Sequence, residues 1–203
     1  MQADFDDGRW KQVTLPYSFN GNEAFRKDIV DLTDTIVWYR KKFTVLGRQK
    51  YFIEFEGVRQ GADFYLNGHH LGYSENGVMA CGFDLTPYIN IGENVLAVRC
   101  DNSWTYRSRE YDSRYQWNDR NFNANYGGIP KNVWLHVTGK LYQTLPLYSN
   151  LGTTGTYVYA TDFDIAGRKA VIHVESQVRN DDTEAHDVAL MFTLTDADGN
   201  LVT

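Results

Sequence analysis

Apolar and polar positions alternate with a period of two along most of this chain. In 51–58, YFIEFEGV, aromatic and β-branched residues surround Glu54 and Glu56. In 94–101, Val95, Ala97 and Arg99 oppose Leu96, Val98 and Cys100. In 132–139, Val133, Leu135 and Val137 share one side, and Trp134, His136 and Thr138 the other. In 169–178, Ile172, Val174, Ser176 and Val178 oppose His173, Glu175 and Gln177. Successive side chains of a strand point to opposite faces of a sheet, so each run predicts a half-buried strand. A further strand is predicted over 187–202, running into the turn at Asp198-Gly199. Only DLTPYI, 84–89, predicts a short helical turn. Long amphipathic helices do not alternate with these strands, which excludes a TIM barrel or a Rossmann domain within the chain.

Asn67-Gly68 stands between ADFYL and HHLGY and predicts a tight hairpin, because a type I′ turn needs positive φ at both central positions. His69 and His70 then open the return strand and point to opposite faces, a poor arrangement for chelating one metal. His136, His173 and His186 are isolated in sequence, so no metal site is expected. Asp196-Ala197-Asp198-Gly199-Asn200 has the start of a calcium-loop pattern without its remaining ligands, and reads as a hairpin turn. Cys100 reads as a small buried hydrophobe, with a Cys81–Cys100 disulfide as the disfavoured alternative.

Composition narrows the function. The net charge is −6 and no lysine-rich run occurs, which argues against a nucleic-acid partner. No apolar stretch approaches membrane-spanning length. The opening MQADFDDGRW lacks the apolar core of a signal peptide, although a leader already removed would leave export to the periplasm or beyond open. Aromatic residues make up 15% of the chain, a content suited to β structure and to surfaces that hold flat ligands.

Those aromatics concentrate in 103–126, SWTYRSREYDSRYQWNDRNFNANY, a long connection between two predicted strands. It combines seven aromatics, four arginines and four asparagines. Stacking faces and bidentate donors are what sugar hydroxyls and rings require. Candidate residues are Trp104, Tyr106, Arg107, Arg109, Tyr115, Trp117, Asn123, Asn125 and Tyr126. The same composition serves a protein–protein contact equally well, and both readings stay open.

Near 142 the alternation lapses through TGKLYQTLPLYSNLGTTGTY, then strands resume. This predicts two domains, 1–141 and 142–203. The second has few strands for a sandwich and leaves Val188, Leu190, Phe192 and Leu194 without an obvious cover. Self-association through 150–203 is therefore expected.

Five ordered segments carry a resemblance: WKQVTLPYSF (10–19), WYRKKF (38–43), FEGVRQGADFYLNGHHLG (55–72), FDLTPYINIGENVLAVRCDN (83–102) and NYGGIPKNVWLHV (125–137). Their order resembles the N-terminal sugar-binding domain of glycoside hydrolase family 2, which includes β-galactosidases, β-glucuronidases and β-mannosidases. Two positions differ from the family pattern: Tyr17-Ser18-Phe19 stands for His-x-Trp, and Pro130-Lys131 for an aromatic followed by arginine. The resemblance implies an all-β fold, a galactose-binding-like jelly-roll sandwich lacking its first strand and followed by a truncated immunoglobulin-like sandwich.

It implies a parent that is a retaining hydrolase of β-glycosides, most closely a β-galactosidase. Two carboxyl groups about 5–5.5 Å apart do that chemistry on a separate TIM barrel. This chain is then expected to be inactive alone, with no catalytic residue, metal or cofactor of its own. Its expected partners are a β-linked saccharide and the barrel. The resemblance also carries a substrate-reaching position, an asparagine in some relatives, to Asp34. A stand-alone carbohydrate-binding module, or a β-sandwich with no sugar affinity, are the rival readings.

Overall fold

The structure, a computed structural model, describes residues 4–114 and 124–202. It divides into two compact units, Met1–Val137 and Thr138–Thr203.

The first unit is built from β1 (Tyr17–Ser18), β2 (Ile36–Val45), β3 (Lys50–Phe55), β4 (Gly61–Leu66), β5 (His69–Ser74), β6 (Cys81–Asp84), β7 (Gly92–Asp101), β8 (Gly128–Ile129) and β9 (Val133–Thr138). A four-stranded sheet runs in the order β2-β7-β4-β5, and a three-stranded sheet in the order β6-β3-β9. The pairs β1–β8, β2–β7, β3–β6, β4–β5 and β4–β7 are antiparallel. Between these sheets lies the core: Ile53 and Phe55 from β3, Phe64 and Leu66 from β4, Phe83 from β6, and Leu96, Val98 and Cys100 from β7. Phe64 sits at the centre, its ring centroid 4.7 Å from that of Phe55 and 4.8 Å from that of Phe83. The Leu96/Val98/Cys100 side of the predicted β7 alternation is thus the core side, and Arg99 faces outward. Both cysteines are buried free thiols.

The Asn67-Gly68 turn forms as expected, with φ of 51° and 86°. It pairs Leu66 with His69 and Tyr65 with His70. The Asn67 side chain donates to Tyr88 O and to Asn94 Oδ1, and accepts from Val95 N, so the turn is sewn to β7. Residues 84–89 form a turn rather than a helix. Asp84 Oδ1 accepts from Thr86 N at 2.8 Å and Leu85 O from Tyr88 N at 2.9 Å. An acceptor side chain at Asp84 and a proline at 87 favour this compact turn over helix propagation.

In the second unit, β10 (Leu141–Gln143) pairs with β13 (Val178–Asn180), and β11 (Thr156–Asp164) with β12 (Lys169–Ser176). One helical turn, α1, covers Tyr148–Leu151. The strand predicted over 187–202 is not regular. A single bridge, Thr195 to Leu201, closes the turn at 196–200. Asp196 supplies that turn by accepting from the N–H groups of Asp198 and Asn200. A two-stranded ribbon with no neighbouring strand gains little from further ladder bonds, which leaves 187–194 irregular. Val188, Leu190 and Phe192 are each 49% exposed.

Candidate functional site

The outer face of the four-stranded sheet carries an unusual row. Register places Trp38, Arg99, Asp63 and Tyr73 side by side across β2, β7, β4 and β5. Two charged residues directly opposite on the pleated surface of neighbouring strands form a cross-strand pair. Asp63 is nevertheless only 6% exposed, because the 103–114 segment lies over it.

Arg109 makes that cover. Its Nη1 and Nη2 donate to the two Asp63 oxygens at 2.9 and 2.7 Å, the bidentate fork. The same guanidinium stacks over Tyr73, 4.7 Å from the ring centroid. Asp63 also meets His70 Nε2 at 3.1 Å and Arg99 Nη1 at 3.7 Å. Burial works to raise the Asp63 carboxyl, but the bonds and charge of Arg109, aided by His70, outweigh it and hold the group below its usual 3.8. The Asp63 bonds in turn raise Arg109 further above its already high range.

Glu75 holds the same segment at a second point. Its Oε1 accepts from Tyr106 Oη at 2.7 Å and from Arg109 N at 3.0 Å. Burial, followed by the Glu75 bond, pushes the Tyr106 phenol upward. Arg107 pairs with Asp112 at 2.6 Å, and Arg114 donates to Trp104 O at 3.2 Å. Trp104 itself is 7% exposed, and its backbone N–H donates to Asp34 Oδ2 at 3.1 Å. The indole is therefore held within the unit instead of being displayed on its surface.

Beneath that segment lie three fully buried asparagines, Asn20, Asn102 and Asn125. Asn20 Nδ2 donates to Thr33 O and Asn125 O, both at 2.8 Å, and Asn20 Oδ1 accepts from Gly127 N at 3.0 Å. Asn102 Oδ1 accepts from Thr35 N at 2.8 Å while its Nδ2 donates to Asn125 O at 3.0 Å. Asn125 Nδ2 closes the set on Asn102 O. Each amide satisfies backbone groups that have no ladder partner, the function a buried polar network must perform.

Of the sequence candidates, Trp104, Tyr106, Arg107 and Arg109 thus belong to one pinned segment, and Asp34 anchors its start. Asn125 joins the buried amides and Tyr126 beside it is half-buried. Tyr115, Trp117 and Asn123 lie outside the described residues. The sequence reading missed Asp63, Glu75, Arg99, Asn20 and Asn102. One signal was available: charges at Asp63 and Arg99 interrupt otherwise apolar strands, and such charges call for a cover.

Elsewhere, Glu54 Oε2 accepts from His136 Nε2 at 2.8 Å, and Glu56 accepts from Trp134 Nε1 at 2.8 Å. These bonds tie β3 to β9 and occupy the glutamates. Among the described residues no group of three His, Cys, Asp or Glu side chains is arranged to hold a metal. A cavity of about 530 Å³ opens between the sheets, walled by Phe43, Ile53, Phe55, Leu96, Val133 and Leu135 among others. Gln12, Thr14, Tyr39, Arg40 and Lys41 add polar groups to its otherwise apolar wall.

A model of the glycosyl hydrolase 2 galactose-binding domain-like family matches residues 17–134. A β-glucuronidase of Formosa agariphila is 39% identical over all of this chain, which spans 21% of that protein. A β-galactosidase of Bacteroides ovatus is 31% identical over 99% of the chain and 22% of its own length. The solved structure of a family 2 β-glucuronidase superposes with a TM-score of 0.78 at 34% identity, over 99% of this chain and 22% of that one. The chain spans about a fifth of the length of these relatives. A two-sheet β-sandwich with these ordered motifs, matched by the family model over more than half of its residues, belongs to glycoside hydrolase family 2.

Proposed function

We propose that these 203 residues are the non-catalytic portion of a retaining β-glycosidase acting on β-glucuronides or β-galactosides. The observation that carries this reading is the match of the whole chain to a fifth of relatives named β-glucuronidase and β-galactosidase. Hydrolysis would fall to two carboxylates on a TIM barrel outside these residues. Within the chain, the acidic residues with resolved contacts are engaged by arginines, amides or strand neighbours, which supports a positioning role. The pinned 103–114 segment would offer that barrel a rigid edge of the substrate cleft, with Asp34, Trp104, Tyr106 and Arg109 fixing its shape rather than touching sugar. Tyr126 and its neighbours would border the cleft.

The second unit reads as part of an immunoglobulin-like sandwich that associates through 150–203, supported by the exposed apolar side chains of 188–192. The test of the main reading is a chromogenic assay with aryl β-glucuronide and aryl β-galactoside. Turnover is expected from the polypeptide that joins these residues to a barrel, and none from the chain alone. Turnover by the chain alone would overturn the non-catalytic assignment. A joined polypeptide that cleaves neither glycoside would overturn the glycosidase assignment. Light scattering tests the association, and a monodisperse monomer at micromolar concentration would refute it.

A further inference from the structure

Asparagine precedes glycine at Asn20-Gly21, Asn67-Gly68 and Asn76-Gly77. Such a pair can react with itself. The glycine nitrogen loses its proton to hydroxide and attacks the side-chain carbonyl carbon. A five-membered imide closes and ammonia leaves. Water then opens the ring at either carbonyl, giving aspartate or isoaspartate. A glycine nitrogen has no Cβ beside it to obstruct the approach. The attack is intramolecular, so its rate depends on how easily the asparagine side chain turns toward that nitrogen.

The fold holds the three side chains unequally. Asn20 is fully buried, and its Nδ2 donates to Thr33 O and Asn125 O, both at 2.8 Å. Asn67 sits in the tight β4–β5 turn, where its Nδ2 donates to Tyr88 O and Asn94 Oδ1. Asn76 is exposed, on the connection that leaves β5. Its Nδ2 donates to Met79 Sδ at 3.2 Å, and a thioether is a weak acceptor. The leaving nitrogen is therefore weakly held at Asn76 and firmly held at the other two. Asn76 Oδ1 still accepts from Met79 N at 3.2 Å. That oxygen gathers negative charge during the attack, so the donor favours the reaction.

The product has a route to the pinned segment. Glu75, next in the chain, is the residue that binds Tyr106 Oη and Arg109 N. Its carbonyl accepts from Gln60 Nε2 at 3.4 Å, and a Cβ on Gly77 would lie 3.5 Å from the Gln60 amide. Isoaspartate carries the main chain through its side-chain carbon and adds one backbone atom between Glu75 and Gly77. Close packing on Gln60 leaves little room to absorb that atom without displacing Glu75.

We propose that Asn76 is a site of spontaneous deamidation, and that its isoaspartate product releases the Glu75 anchor of the 103–114 segment. The test incubates the 203-residue chain at mildly alkaline pH, natively and in urea, and follows each asparagine by peptide mass spectrometry. In the native chain Asn76 should convert first, with Asn20 and Asn67 about ten- to hundredfold slower, because their bonds must break beforehand. In urea the three should convert at similar rates. Equal native rates, or an Asn76 that converts in urea and not in the native chain, would overturn the site. Hydrogen exchange tests the consequence. Exchange of the Arg109 amide should quicken about tenfold in the isoaspartate form and stay unchanged in an aged Asn76→Ser chain. Unchanged exchange in the isoaspartate form, or equal quickening in aged Asn76→Ser, would overturn the link to Glu75.

Discussion

Asp63→Asn is the substitution that probes the pinned segment most directly. It removes the charge that Arg109 grips at 2.7 and 2.9 Å while keeping the side-chain shape. Breaking a fully buried ion pair costs about 3–5 kcal/mol. The Arg109 side chain is 38% exposed and retains Glu75 at 3.9 Å, so solvent and that second acid reduce the expected loss to about 2 kcal/mol. For a unit of this size each kcal/mol moves the melting temperature by about 2–4 °C, so the variant should melt about 4–8 °C below the wild type. A cycle with Arg109→Met isolates the pair, with a coupling of about 1–2 kcal/mol expected from urea titrations followed by tryptophan fluorescence. The carboxyl is depressed on folding, so its contribution is present above the unfolded value near 3.8 and is lost as pH falls through the lower folded value. The gap between wild type and variant should therefore hold from neutral pH to about pH 4 and close below it. Equal melting at pH 7, or a coupling indistinguishable from zero, would refute the claim that this pair fastens the segment.

Three further expectations rest on other parts of the first unit. Asn102→Ala strips Thr35 N of its acceptor and leaves the carbonyl of Asn125 with Asn20 alone, so it should cost about 1–3 kcal/mol in a urea titration. Gly61→Ala would drive a Cβ into the Tyr106 ring, so it should lower stability by about 1–3 kcal/mol and shift the thermal midpoint accordingly. Burial lifts the Cys81 thiol to about 11 and Cys100 higher still, so a thiol reagent at neutral pH should label neither in the native chain and both after denaturation.

The sandwich was legible because its information is local. Alternation in 94–101 named the core side of β7 correctly, and Asn67-Gly68 specified a turn that few other dipeptides can form. Strand 187–194 was misread because alternation states a capacity for pairing, while a regular strand also needs a neighbour. The 103–126 segment was recognised as special by composition, yet its Arg109 is spent on the buried Asp63. That outcome depends on partners such as Asp63 and Glu75, 46 and 34 residues from Arg109. Sequence shows that four arginines are present; only the sheet register shows that an aspartate waits opposite. The asparagine trio was hidden for the same reason, since its members contact backbone groups more than 100 residues away in one case.

The strand order has a consequence for synthesis on the ribosome. Ile36–Val45 finds its partner only when Gly92–Asp101 has emerged, and Tyr17 pairs with Ile129. At about 5–20 residues per second, β2 waits roughly 3–13 s for its mate and Tyr17 roughly 6–22 s. Through that interval Val37, Tyr39 and Phe43 sit on an open edge, an invitation to trigger factors or to neighbouring nascent chains. Codon usage that slows elongation between residues 45 and 92 would lengthen this exposure, and soluble yield should fall with it.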